Sequence, residues 1–525
     1  MVGESLLERA ASANTERRHR RAVQLCDVAL NGQPPSALEA ALRVERASAW
    51  VEIGEWSRAE RDCRGALAHG PSARAFALLA RCHLEQGDAL EAVQRIEQSL
   101  ALDPQTERKW LLYARALSAT GQHDAALRAL TRAEQYAPNS GSDVGARHAR
   151  LGILIAAGRH EELVEVATRN LREAPPDAET WTQLGLSSTA LGRSEDAVTA
   201  FREAIALDPE RVDANCGLGM ALLRLGQLAE GLRYHEHRQK RAGVMPRYGV
   251  KPWRGETLDA AHIIVFPEQG LGDTIQFARF VPALRRRAAR VTFLVPQPLV
   301  RLLNHRTEID ARAAEHPGFG AADYQTLVMS LPHLLDSDAD AGTSALPLLF
   351  PEPERVQRWA ARLPPGPKVG LVWQGNPRYA GEPWRSMPFS NLEPLIAERP
   401  DLTWVSLQKH FGREQLLAAS ESARARVLDW TEEIDHLGDA FVDSLAILSL
   451  LDALVTTDTS LAHIAGSAGI PTWLLLPHVA DWRWGIAPKR SPWYPDLVLI
   501  RQSYFGDWSG VIERLSAELA VRLAR

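Results

Sequence analysis

The run Ala261-His-Ile-Ile-Val-Phe266-Pro-Glu268-Gln-Gly270-Leu-Gly272-Asp273-Thr-Ile-Gln276-Phe-Ala-Arg279 decides how the second half of the 525-residue chain is read. Its opening residues, Ala261–Phe266, form a short apolar stretch of strand length. A helix opens directly after the glycines. Gly270 and Gly272 permit a tight turn and close approach of a ligand. Asp273 falls near the helix N-terminus, where a carboxylate can accept a proton from a hydroxyl or simply cap the helix. The string is neither the full dinucleotide fingerprint nor a phosphate-binding P-loop.

Further along, similar apolar runs alternate with helical stretches. Strands are expected at Val291–Val295, Gln325–Met329, Val369–Trp373, Thr403–Leu407, Ala453–Thr457, Thr472–Leu476 and Leu497–Ile500. Such alternation predicts parallel sheets. The proline-rich segment Leu348–Pro367 divides the region into two Rossmann-like lobes, taken as residues 260–350 and 366–525. An amphipathic last helix near Trp508–Leu523 is expected to pack back across the lobes. Ligands of open parallel sheets bind at the carboxyl ends of the strands.

Three more motifs fall at such ends. Trp373-Gln374-Gly375-Asn376-Pro-Arg378, followed by Trp384-Arg385-Ser386, is a strand and then a loop with two arginines, suited to bidentate phosphate capture or to a solvated loop. In Thr457-Asp458-Thr459-Ser460-Leu461-Ala-His463 a strand gives way to a helix whose free amides form an anion site. Asp458 can accept from sugar hydroxyls, and His463 either reaches a phosphate or packs. The loop Asp481-Trp482-Arg483-Trp484, with Ser491-Pro-Trp493-Tyr494, carries aromatics for stacking or for the core. Asp336-Ser-Asp338 and Asp338-Ala-Asp340 mimic a metal-binding D-x-D string but sit in a polar stretch apart from the other motifs, so they are read as surface.

The first half is periodic. Gly54, Gly87, Gly121, Gly158, Gly192 and Gly226 recur in short polar turns at steps of 33, 34, 37, 34 and 34 residues. Pro71, Pro104, Pro138, Pro175 and Pro209 each follow one of the first five by 17 residues. Two helices and two turns fill about 34 residues, with glycine closing the first helix. The longer step places a small insertion near Asn139–Gly145. Glycines and prolines from Gly243 to Gly255 mark a linker between the halves. The expected order is a helical cap or half-repeat at 1–36, a repeat array at 37–240, a linker at 241–259, and the two lobes.

Composition is that of a globular protein, with 45% hydrophobic and 24% charged residues. A net charge of -5 argues against a chain given over to nucleic-acid binding. No run approaches 18 apolar residues, and the N-terminus lacks a secretory pattern, so a membrane span is not expected and a cytoplasmic setting is. Cys26, Cys63, Cys82 and Cys216 are too scattered for a disulfide framework or zinc site.

The period and its glycine, alanine and proline positions resemble tetratricopeptide repeats over about residues 37–240. That resemblance implies a superhelix with a concave face for a peptide or protein. In the second half, Gly-Leu-Gly-Asp273, Trp373-Gln-Gly-Asn376 with Arg385-Ser386, and Asp458-Thr-Ser-Leu-Ala-His463 together look like the heptosyltransferase-like (ADP-heptose transferase superfamily) glycosyltransferases of GT-B fold. The whole chain is similar to bacterial proteins that join the two parts.

The resemblance implies a nucleotide-sugar-dependent, inverting, metal-independent transferase acting on a hydroxyl of a protein, such as a flagellin-like one, or of a glycan. It implies Asp273 as catalytic base. It implies a donor site drawn from Gly270, Gly272, Trp373, Gln374, Gly375, Asn376, Arg378, Arg385, Ser386, Gln408, Asp458, Thr459, Ser460, Leu461 and His463. No cofactor or metal is implied. The family often has a lysine in the loop after the second lobe's first strand, where this chain offers Arg378 and Arg385, so the donor nucleotide stays open among ADP-, UDP-, GDP-, dTDP- and CMP-linked sugars. Two other readings stay open: a repeat scaffold with a degenerate GT-B domain, and a transferase resembling the repeat-linked O-GlcNAc enzyme.

Overall fold

In the computed structural model the structure describes residues 2–136, 144–241, 243–244, 249–305, 307–315, 320–335, 346–378, 385–436, 438–486 and 489–523. The expected insertion near residue 139 and the three aspartates of the D-x-D strings lie outside these. The chain divides into two units, Met1–Ser188 and Thr189–Arg525.

The first unit is a stack of helical hairpins from Val2–Thr15 to Ala178–Ala190. Each expected turn glycine has positive φ, from 68° to 84°, which lets the chain leave one helix and start the next within a few residues. Small side chains at the crossings, Ala59, Ala92 and Ala126, are fully buried. Pro71, Pro104, Pro175 and Pro209 sit two or three residues ahead of the following helix, as Pro71 before Ala73–Glu85 and Pro104 before Glu107–Ala119, and Pro138 lies outside the described residues. The N-terminal segment is a complete hairpin, Val2–Thr15 with His19–Asn31, whose Ala10, Ala22 and Cys26 pack with Leu42 and Ala49 of the next helix. All four cysteines of the chain are free and buried. Burial pushes the Cys26 thiol up to about 12 and the Cys82 thiol to about 11, which keeps them protonated packing groups.

The second unit begins inside the repeats. Its helices Ser194–Leu207, Val212–Arg224 and Leu228–His235 continue the array, and two of them share a core with the α/β region through Leu223 and Leu232. The expected boundary at 240/241 is therefore not where the structure divides. The reason is packing: this helical end buries apolar side chains against the lobes.

The first lobe is a parallel sheet in the order β1-β5-β2-β3-β4. Its strands are β1 (Lys251–Pro252), β2 (Leu258–Phe266), β3 (Ala288–Val295), β4 (Ala311–Ala313) and β5 (Tyr324–Leu327). The second lobe is parallel in the order β11-β10-β9-β6-β7-β8. Its strands are β6 (Lys368–Val372), β7 (Thr403–Ser406), β8 (Val427–Asp429), β9 (Ala453–Thr457), β10 (Thr472–Leu476) and β11 (Leu497–Arg501). Counted from β6, this is the Rossmann order 3-2-1-4-5-6. The fold is thus a helical repeat region followed by two Rossmann-like lobes. The three strands that the sequence did not signal, β1, β4 and β8, are short edge strands, and β1 carries Pro252 at the place a sheet tolerates it.

The last helix, Trp508–Arg522, does not cross the lobes. Among the described residues, its Trp508, Val511, Leu515 and Leu519 share a core cluster with Trp473, Leu475 and Ile500 of the second lobe. Spacing of three, four and four residues puts these four on one stripe, and that lobe's outer sheet face absorbs it whole.

Candidate active site

Each lobe presents a topological switch point, where strand order reverses and a crevice opens at the strand ends. In the first lobe it lies between β2 and β5, in the second between β6 and β9. The loop after β2 is the glycine turn, the loop after β6 is Trp373–Asn376, and the turn after β9 is Asp458–Ser460. Three of the four sequence motifs therefore meet the crevices for a topological reason.

The glycine turn leads into the helix Leu271–Ala278. Gln269 just before it holds φ 55°, a left-handed conformation uncommon for a side-chain-bearing residue. Asp273 caps this turn: its Oδ2 accepts from Gly270 N at 2.9 Å. Its other oxygen, Oδ1, accepts from Arg483 Nη2 of the second lobe. Asp273 thus caps the turn with one oxygen and meets Arg483 with the other.

This turn packs directly on the helix Ser460–Ser467. A Cβ placed on Gly272 would stand 2.9 Å from His463 Cδ2 and 3.5 Å from Ser460 Cα, so only glycine lets the two helix starts come this close. Thr459 precedes the second helix in extended conformation and makes no side-chain cap bond. Its Oγ1 instead meets Thr456 Oγ1 at 3.1 Å, leaving the helix start to its own amides.

Arg483 ties the lobes together. It donates from Nε to Gln276 Oε1 at 2.8 Å and from Nη1 to Asp481 Oδ1 at 2.9 Å, besides its bond to Asp273. Asp481 is fixed locally, its Oδ1 also accepting from Arg483 N at 3.0 Å. Arg483 and Gln276 were absent from the expected site set. In sequence the string around Arg483 reads as an aromatic loop, and its partners lie 207 and 210 residues away, beyond the reach of any local pattern.

Asp458 stands in the same neighbourhood. Desolvation and the Asp481 carboxylate push its carboxyl up to about 6, while Arg385, the Trp484 indole and Arg483 favour its charged form. His463 is buried, hydrogen-bonded through Nδ1 to Tyr494 Oη at 2.9 Å and stacked on Trp484 at 5.4 Å. Desolvation, then the charges of Arg483, Arg279 and Arg385, hold its imidazole neutral, well below its usual range. His463 therefore packs the seam behind Gly272, and Leu461 is likewise buried.

The Trp373–Asn376 loop is braced from beneath. Gln408 Oε1 accepts from Trp373 N at 2.9 Å and Gln374 N at 3.0 Å, and its Nε2 donates to Gln374 O at 2.8 Å and Phe411 O at 2.6 Å. Trp373 itself is wholly buried, its indole donating to Gly412 O at 3.0 Å. Trp373 and Gln408 are both buried and shape the loop. Ser386 Oγ accepts from Gly375 N at 2.9 Å, closing the loop. Asn376 Oδ1 accepts from Arg378 N at 3.0 Å, and both residues are exposed. Arg385 is half-buried and within electrostatic reach of Asp458 and His463. The structure thus gathers Asp273, Arg385, Asp458, Ser460 and His463, with Arg483, and leaves Arg378 at the periphery.

Among the described residues, no three His, Cys, Asp or Glu side chains form a group that could hold a metal ion, and no helix is long and apolar enough to cross a membrane.

Comparison with known proteins agrees with the first half of this reading. Tetratricopeptide repeat models match residues 44–107 and 83–151, and a TPR repeat model matches 185–226, so the chain carries tetratricopeptide repeats on both sides of the 188/189 division. The chain is similar to Protein FlbA of Caulobacter vibrioides, with 26% identity over 424 residues, 69% of this chain and 70% of that protein. Among solved structures it is similar to E. coli ADP-heptose lps heptosyltransferase II, at 13% identity, 50% of this chain, 98% of that chain and a TM-score of 0.36. It is also similar to YrrB, a TPR protein with an unusual peptide-binding site, at 20% identity, 33% of this chain, 89% of that chain and a TM-score of 0.28.

Proposed function

We propose that the chain is a nucleotide-sugar-dependent glycosyltransferase of the inverting kind, with the repeats recognising a protein or peptide acceptor. The observation that supports it most is the pairing across the lobes: a carboxylate on one switch-point turn stands against an arginine and an amide-rich helix start at the other. Asp273 takes the proton of the acceptor hydroxyl. The oxygen bonds to the anomeric carbon of the sugar as the bond from that carbon to phosphate breaks, and the electron pair leaves with the phosphate. Arg483, Arg385 and the amides at Ser460 receive that charge. Arginines thereby do the work that a metal ion does in other transferases. Repeat superhelices offer concave faces to extended peptides, which suits a protein acceptor.

The test joins binding to turnover. A thermal-shift panel of ADP, UDP, GDP, dTDP and CMP names the donor class. A ligand at about 100 times its Kd raises stability by about 2.7 kcal/mol. The matching nucleotide-sugars are then assayed for transfer. Asp273→Asn is expected to lose transfer by at least about a hundredfold while still being stabilised by the same nucleotide. Wild-type turnover by that variant removes Asp273 from the role, and a folded chain that no nucleotide stabilises turns the reading to a repeat scaffold.

A further inference from the structure

We infer that Arg483 serves two anions in turn, the Asp273 carboxylate and a phosphate group of the donor, so that donor binding releases the base. This rests on the reading of the cleft as a nucleotide-sugar site and adds to it a coupling between its two halves.

The geometry of the guanidinium carries the inference. All three nitrogens already donate to protein acceptors: Nε to Gln276, Nη1 to Asp481 and Nη2 to Asp273. Bidentate capture of a phosphate needs two parallel N–H bonds. Either parallel edge of the fork includes Nη2, and Asp273 occupies one of the two N–H groups of that nitrogen. Asp481 is pinned within its own turn by Arg483 N, whereas Asp273 belongs to the opposite lobe and keeps its Gly270 bond when Oδ1 is released. Asp273 is therefore the partner that yields.

A second observation points to an acceptor-rich ligand at this place. Gln276 is fully buried beside the guanidinium, its Oε1 taken by Arg483 and its Nε2 without a partner. Trp484, also fully buried, turns its indole N–H toward the Asp458 carboxylate beside it. Buried donors left unpaired are costly, and phosphate oxygens are the acceptors that would satisfy them. Arg279 adds positive charge behind them: it is buried on the Tyr494 ring at 4.3 Å and donates to the backbone oxygens of Gln276 and Trp493, both at 2.7 Å.

The exchange orders the reaction. With Arg483 on Asp273, the oxygen that should take the acceptor's proton is held by a cation. When phosphate takes the guanidinium, Oδ1 is freed on the acceptor side, and the arginine stands where the departing electron pair arrives. A base released only by a bound donor suits a transferase that must not act before its donor is seated.

The test is calorimetry with inorganic pyrophosphate on the full chain, comparing wild type with Asp273→Asn, Arg483→Gln and the double variant. If the carboxylate and phosphate compete for one guanidinium, Asp273→Asn binds pyrophosphate about five- to tenfold tighter than wild type. Arg483→Gln binds at least about tenfold weaker, and in the double variant the tightening disappears. Unchanged or weaker binding in Asp273→Asn, at an unaltered melting temperature, overturns the inference. So does tightening that survives in the double variant, because removing a negative charge then acts without Arg483. Arg483→Lys, which keeps the charge and loses the fork, supplies the same arm if the glutamine variant does not fold. Pyrophosphate binding by none of the proteins overturns the donor-site reading as well, whereas binding without competition leaves that reading standing and sinks the exchange alone.

Discussion

Asp458 lies among three charged neighbours whose effects compete, and burial decides the outcome. With its carboxyl raised from 3.8 to about 6, the folded chain binds this proton more tightly than the unfolded chain does. The resulting stability is present below pH 3.8 and is lost as pH rises through about 6. Asn at this position mimics the neutral acid and cannot titrate. Asp458→Asn should therefore match wild type near pH 4 and exceed it by up to about 3 kcal/mol above pH 6. Denaturant midpoints for both proteins across pH 4–7 check this, and parallel curves throughout would mean that Asp458 is ionised like a surface carboxylate. Asp458 illustrates what a sequence can and cannot show at one residue. Its position after a strand and before a helix was legible, because both elements announce themselves locally. Its protonation was not, because Asp481, Arg385 and Arg483 reach it from other loops.

At the level of elements, the legible features were those whose physical cause is local. The turn glycines follow from a backbone angle, and the repeats follow from glycine spacing. The eight strands expected from apolar runs all appear, with ends shifted by a few residues. The missing edge strands are two or three residues long and carry Lys251, Pro252 and Arg312, which no apolar pattern marks. The destination of the last helix depended on which sheet face remained open, and Gln408 as a brace depended on bonds to loops on either side of it. One long-range contact sets the glycine turn itself. Arg238, just after the repeat helices, grips Glu268 at 2.9 and 2.7 Å and also donates to Ser330 Oγ at 2.8 Å. Both side chains are almost wholly buried. Removing one partner of such a pair strands the other, and Arg238→Ala should cost about 3–5 kcal/mol, whereas replacing both with Met and Leu should recover most of it. Urea midpoints of the three proteins test this. A loss under about 1 kcal/mol in Arg238→Ala would show Glu268 to be relieved by water.

For the whole molecule, the consequential boundary is the one at 188/189 rather than the linker after residue 240. The helices from Ser194 to His235 are repeat in sequence but pack with the α/β lobes. Leu223 and Leu232 enter the lobe core, His235 lies 6.0 Å from the Trp482 ring, and Arg238 holds the glycine turn. Gly192 approaches Val479 so closely that an added Cβ would stand 3.2 Å from it. Trp482 and Arg483 are adjacent, so the helical end supports the turn that presents the arginine to Asp273. Cutting at 240 would take away two leucines that fill the lobe core, each worth about 1.5–3 kcal/mol, and strand Glu268. That sum rivals the whole stability of an ordinary domain, about 5–15 kcal/mol. Residues 189–525 should therefore unfold cooperatively and keep the nucleotide-induced shift of the full chain, while losing transfer to a protein acceptor. Residues 241–525 should melt at least about 10 °C lower or fail to fold. Thermal unfolding of the two fragments with and without the selected nucleotide distinguishes these outcomes. Equal melting temperatures would show the last repeat to be dispensable to the lobes, and a 189–525 fragment with undiminished protein glycosylation would assign acceptor recognition to the lobes instead of the array.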